Sequence, residues 1–442
     1  MKLLRISALV LSSLIIIITV DQYLFCPVYT FEGTASFSGD SIYNPYASAM
    51  PGNWVKCNFH AHTNCWHGFT NGKGTATDAF NIYDKLNYDV HTISNYEAID
   101  TTQRYAPNYL SCYEHGYNLL KCHQLVLGAS AVCWKDYLLP QTLSNKQNIL
   151  DRLNNTAQDG LVVINHPLER NGYRSSDFKY LTHYACMEVL NPSCNSSALW
   201  DECLSAGKPV FIIGNDDCHN VFDSSNVGTI CTWINMAHPG RINILQALKT
   251  GSSFAMRVGD ELMEEVRKGN NDSMPLLQHL DVKNDTVYAK FNLAAKAIVV
   301  SGSRGRLLQK VCDTDAVFFK LESTEPYARI TAYYKNGTEV LLNPVFRYHK
   351  SPLRQASASI DAMQTWGRRA AGVMVLIVWF GLALRLVFYK KNQYKYLPNI
   401  LTGYGFVSGF STENTEVRNR WSIWRLRRFF SDMDLERESE IE

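Results

Sequence analysis

The chain carries almost no net charge: 43 Lys and Arg against 41 Asp and Glu leave a formal +2 over 442 residues. That absence removes any global pull toward an acidic partner, and no nucleic-acid partner is expected. No internal repeat is visible, so a solenoid or propeller is not expected. Cysteine is missing from the whole C-terminal part. All twelve fall between Cys26 and Cys312, an even number on one stretch, which predicts an oxidising compartment without revealing any pairing. Long hydrophobic runs are also scarce. With an ordinary apolar fraction of 46%, any membrane segment has to show itself locally.

Two segments do so. After Lys2 and Arg5 the chain runs from Ile6 to Val20 without a charge, and Tyr23, Leu24 and Phe25 extend it. No small-x-small cleavage motif follows Val20, so residues 6–25 are expected to be an uncleaved signal anchor. The second run, 370–389, is interrupted only by Arg385 and is flanked by Arg368, Arg369, Lys390 and Lys391. At ~1.5 Å per residue it spans a ~30 Å hydrocarbon layer. Basic residues at both chain ends predict that both termini, with the tail 390–442, are cytoplasmic. The middle then lies in a periplasm, a lumen or the exterior. Asn154, Asn195, Asn271, Asn284 and Asn336 begin glycosylation sequons, which matter only in a eukaryotic source.

A polar stretch to about Asn53 reads as a linker or a strap. From Trp54 to Gly259 short apolar strands alternate with helical patterns, with strands at 55–60, 89–94, 125–131, 161–165, 186–190 and 210–214. Helices are expected near 77–86, 146–153 and 197–206. This alternation predicts an α/β region with a parallel sheet or barrel. Over 275–350 the pattern changes to alternating strand character, a small β-sandwich-like domain. Within the tail, Arg418–Phe430 sets Trp and Phe among arginines, either a helix on the inner membrane surface or a solvated basic tail.

Chemistry concentrates at strand ends. His60 and His62 stand two apart on a strand, so both imidazoles reach one cation. The run Leu161–Ile164 leads into Asn165-His166-Pro167, and Val210–Gly214 leads into Asn215-Asp216-Asp217-Cys218-His219. Three apolar strands, each tipped with His or Asp, build a metal site at one rim. His67, in the loop 64–70, is a candidate for the same pocket. His91, His115, His123, His183 and His238 read as structural. Lys73, Lys135, Arg170 and Arg174 are candidate anion-binding side chains.

The order H-x-H, strand-His-Pro, then D-x-H after a Gly-containing strand resembles the polymerase-and-histidinol-phosphatase (PHP) family over residues 54–259. The resemblance implies a distorted β/α barrel binding divalent metal (Zn, Mn or Fe) and hydrolysing phosphoesters. By position it implies His60, His62, His166, Asp217 and His219 as metal ligands. Glu188 matches a family strand that closes on the site. The expected substrate is a phosphorylated small molecule or a lipid-linked one. Two departures narrow the expectation. Asn95 and Tyr96 stand where the family has an Asp-His pair, and Leu127–Val132 offers no acid where the family has a bridging glutamate. Glu97, beside Tyr96, would face away along a continued strand. A reduced one- or two-metal phosphoesterase is therefore expected, against a pseudoenzyme that only binds and an amidohydrolase-type metal hydrolase.

Overall fold

A computed structural model of the chain describes residues 2–392, apart from 158, 269 and 350–355. The tail beyond 392, including the Arg418–Phe430 segment, lies outside the described residues. The fold is mixed α/β, with several sheets and seven α-helices among the described residues.

Two helices are long and apolar enough to cross a membrane, Leu4–Phe25 and Ala362–Phe388. The second begins before the run expected from sequence, which places Arg368 and Arg369 inside the helix. Arg369 Nε donates to the Phe25 carbonyl (3.2 Å), satisfying a group at the end of the first helix that has no intrahelical partner. Trp379 donates to Ser13 farther along, so the two helices run antiparallel side by side. Gly372 lets them approach closely, since a Cβ there would stand 2.7 Å from the Phe25 ring.

The polar stretch after the first helix is a strap. Tyr29–Glu32 pairs with Ser357–Ile360, and Ser41–Tyr43 pairs with Val345–Tyr348. Phe37 is buried between them, stacked on Phe346.

One sheet holds five strands in the order Phe211–Gly214, Cys186–Asn191, Leu161–Ile164, Gln124–Leu127, Cys112–His115, with Cys194–Asn195 as a short sixth. The first three are mutually parallel, so their C-terminal tips point to one end. A second sheet carries Trp54–Asn58, with Val90–His91 parallel on one side and Ile230–Asn235 antiparallel on the other. It continues through Ser253–Arg257 into Glu339–Leu342 and on to the long hairpin Thr286–Ser301 and Leu307–Lys320.

Among the described residues the closed barrel expected from the resemblance does not form. Phe211–Gly214 ends the first sheet because its outward N–H groups are taken by side chains: Ile212 N–H by Asn343 Oδ1 (2.8 Å) and Gly214 N–H by Thr232 Oγ1 (3.0 Å). With those donors satisfied, no neighbouring backbone is needed. At the other edge a single bridge, Tyr96 to Glu114, replaces a ladder.

The seam between the sheets is where the core divides. Phe59 packs into one apolar cluster with the first sheet, and Ala61 into the other with the helices Ala76–Lys85 and Asp260–Arg267. None of the twelve cysteines is paired, and nine are buried. The cysteine pattern is packing rather than a disulfide framework.

Candidate metal centre

The seam brings the sequence motifs together. After Trp54–Asn58 the chain continues beside the D-x-H segment, through a parallel bridge of Ala61 with Cys218 and the bond from His62 N–H to Cys218 O (2.7 Å). His60 and His62 thereby face Asp217 across the junction, while Phe59 and Ala61 alternate into the cores. His166 and Asp217 follow the tips of parallel strands, the end at which open α/β sheets present their ligands. Both have left-handed backbones (φ 24° and 44°), which cost free energy and recur at functional sites.

An acid that the sequence reading missed sits at the centre. Glu114, on the strand Cys112–His115, is fully buried. Its Oε2 lies 3.3 Å from His60 Nε2 and 3.2 Å from His62 Nε2. Its Oε1 lies 3.2 Å from His166 Nε2 and 3.1 Å from His123 Nδ1. Asp217 Oδ1 approaches the same histidines, at 3.1 Å from His60 Nε2 and 3.4 Å from His62 Nε2. Two sets of ligand atoms lie close enough to hold an ion: His60, His62 and Asp217, and His60, Glu114 and His166. His123, taken as structural from sequence, belongs to this cluster. Glu169 joins it too, its carboxylate 3.3 Å from His166 Nδ1.

Glu188 stands behind His60 rather than among the convergent atoms. Its Oε1 accepts from His60 Nδ1 (3.0 Å), which leaves the His60 Nε2 lone pair aimed at the centre. His219 is oriented in the same way, with Nδ1 donating to the Asp217 carbonyl (2.8 Å) and its ring packed on His62 at 4.3 Å. Three asparagines at strand tips hold the carboxylates: Asn165 on Glu114, Asn215 on Glu188, and Asn191 on both Glu188 and Asp217.

Of the remaining candidates only Tyr96 touches the cluster. Asn95 straps the loop behind the histidines, accepting from Thr63 N–H (2.8 Å) and donating to Thr63 Oγ1 (2.9 Å). The Tyr96 ring stacks on His62 at 4.6 Å. Glu97 accepts from Gly116 N–H (2.9 Å), turned away from the cluster. His67 is exposed on a left-handed turn, Lys135 pairs with Asp21, and Lys73 lends only its backbone N–H, to His219 O. Arg170 and Arg174 are exposed. His115 is structural, bonded to Gln124 and to the Lys135 carbonyl.

Two observations test whether a cation fits. His60 Nε2, both His62 nitrogens, Glu114 Oε2, Asp217 Oδ1 and His219 Nε2 are buried atoms without a hydrogen-bond partner, although several lie within 3.4 Å of one another. Buried polar atoms are otherwise almost always bonded. Glu114, Glu188 and Asp217 are also three inward carboxylates whose ionic partners, among the described residues, are all histidines. Burial alone would raise the Glu114 and Asp217 carboxyls and lower the imidazoles. The facing charges outweigh it: both carboxyls are held below the usual range, Glu114 chiefly by His60 and His123, Asp217 chiefly by His60 and His62. His60, His62 and His166 are raised by the same acids. Imidazole and carboxylate are the donor set of Zn, Mn and Fe sites, so a divalent cation fits these residues.

No family model matches the sequence, and no curated protein does. Among solved structures the chain has a distant likeness to a two-domain protein from Bacteroides vulgatus ATCC 8482 containing a predicted PHP-like metal-dependent phosphoesterase. The two are 12% identical with a TM-score of 0.35, over 74% of this chain and 99% of that one.

Proposed function

We propose that this chain is a membrane-anchored, metal-dependent hydrolase of phosphoesters with a reduced one- or two-metal site. The observation that carries the reading is the convergence of partnerless, buried imidazole and carboxylate atoms on one point at the seam of the two sheets. His60, His62, Asp217 and Glu114 would hold a first ion, and His166 with the other Glu114 oxygen a second, with His219 at the rim. A bound divalent ion there lowers the pKa of water and neutralises phosphate charge. The protein's own part is orientation. Glu188 fixes the His60 tautomer, the three asparagines hold the carboxylates in place, and Asn95 strengthens the H-x-H loop.

In this reading residues 54–259 are the metal-binding region and 275–350, expected as a separate β-sandwich-like domain, are a β-rich support whose strands continue the second sheet, between spans at 6–25 and 370–389. Both termini are cytoplasmic and the site lies on the other side of the membrane, facing a phosphorylated small-molecule or lipid-linked substrate.

Metal analysis of the purified protein is the test. Stoichiometric Zn, Mn or Fe that is lost in a His60→Ala, His62→Ala double variant supports the site, and turnover across phosphomonoesters and phosphodiesters supports the reaction. Bound metal with no phosphoester turnover points to a binding module or to amidohydrolase-type chemistry. Absence of metal above the histidine pKa removes the enzyme reading.

A further inference from the structure

The loop before the helix Leu143–Ala157 grips the end of the first membrane-crossing helix. Lys135 pairs with Asp21, Gln22 exchanges bonds with Leu139, and Tyr23 Oη donates to the Pro140 carbonyl. These contacts reach below the helix end: Asp21 precedes Phe25 by about one turn, or ~6 Å. The headgroup region of one leaflet is about 5–7 Å deep, the difference between ~40–45 Å and ~30 Å shared by two faces. The loop therefore descends beside the helix to the level at which a bilayer's headgroups would lie.

What the loop exposes there is apolar. Trp134 is 61% and Leu138 37% exposed. Leu119 is 54% exposed, held beside them by its N–H to the Leu138 carbonyl (3.0 Å), while Tyr117 Oη donates to the Trp134 carbonyl (3.2 Å). Trp66 meets Trp134 edge-on at 5.7 Å. Aromatic side chains are enriched at the membrane–water interface because the ring is apolar and its N–H or O–H stays wet. The ridge also leads directly to the candidate centre: Trp66 Nε1 donates to the Tyr96 carbonyl (2.8 Å), and Tyr96 stacks on His62.

We infer that Trp134, Leu138, Leu119 and Trp66 form a docking surface for the lipid bilayer itself, which sets the side of the candidate centre covered by Tyr96 toward the headgroup layer. The substrate class, which rests on the hydrolase reading above, is then the phosphoester of a bilayer lipid, cleaved by water at its P–O bond, rather than a soluble phosphate ester. A soluble partner would have no reason to be met at the depth of Asp21, whereas a bilayer is continuous with the helix that ends there.

The full chain in phosphatidylcholine nanodiscs containing phosphatidic acid tests both halves separately. Trp134 fluorescence, taken as wild type minus Trp134→Phe, is expected to be quenched by lipids brominated on the acyl chains and shielded from aqueous acrylamide. The Trp134→Ser, Leu138→Ser variant is expected to lose at least about tenfold in hydrolysis of nanodisc phosphatidic acid, since two large apolar side chains leave the bilayer. Hydrolysis of soluble p-nitrophenyl phosphate by the same variant is expected to hold. Quenching by brominated lipid without any phosphoester turnover upholds the docking surface and removes the hydrolase reading. Trp134 open to acrylamide and unquenched by lipid overturns the docking surface, as does an equal loss on both substrates.

Discussion

Replacing Glu114 by glutamine removes one charge from the centre with little change of volume. Glu114 lies within 3.1–3.3 Å of nitrogens on His60, His62, His123 and His166. One of its oxygens becomes an NH2 that competes with the cation for the imidazole lone pairs. Breaking a buried charge pair from one side costs about 3–5 kcal/mol. At ~1.4 kcal/mol per decade, Glu114→Gln is expected to weaken metal binding by two to three and a half decades, roughly 10²-fold to a few thousandfold. Competition against a fluorescent chelator, with Zn and Mn in turn, reads this directly. Two other buried acids calibrate the result. Glu188→Gln acts through the His60 Nδ1 bond and is expected to cost about 10–100-fold. Glu97, which burial pushes up to about 7, accepts from Gly116 N–H and has no place among the convergent atoms. Its Gln variant is expected within about threefold of wild type. The reasoning is refuted if Glu114→Gln binds metal like Glu97→Gln while His60→Ala abolishes binding.

Two more outcomes follow from the same structure. Burial pushes the Lys208 amine down from 10.5 to about 8, with its Nζ bonded to the Leu181 carbonyl. The folded state then binds fewer protons than the unfolded chain between about pH 8 and 10.5, so stability rises with pH in that window by ~3 kcal/mol. The wild-type-minus-Lys208→Met stability difference, from urea midpoints, should climb by that amount, and a flat difference would contradict it. Asn95→Asp restores an acid where the resembled family has one, yet this side chain is spent on Thr63. Metal content is expected to stay unchanged, and an added equivalent would show that the strap opens.

Much of the site was legible because its signals are local. His60 with His62, His166 before a proline, and Asp217 with His219 each stand just past an apolar run, and one strand period sets which side chains share a face. Glu114 was hidden for the opposite reason. Cys112-Tyr113-Glu114-His115 contains no apolar run, yet all four residues are buried. The groups that its acid and histidine meet all come from other parts of the chain, so nothing in its own neighbourhood announces a core strand. The only available signal was its place before Gly116 and opposite the apolar strand Gln124–Leu127. His123 was missed alongside it, because its partner is Glu114.

Local pattern by itself therefore determined the two apolar helices, most strands and the histidine-bearing tips, since hydrophobic periodicity and chain order reside in short windows. Which atoms converge was decided only by the tertiary structure. The acid stands one strand away from Leu127–Val132, on the antiparallel neighbour Cys112–His115. Closure was decided there too: Asn343 and Thr232, distant in sequence, took the edge donors that a barrel ladder would have used. Hydrogen-bond satisfaction is a property of whole surroundings, and it set both the open edge and the partnerless atoms that mark the centre.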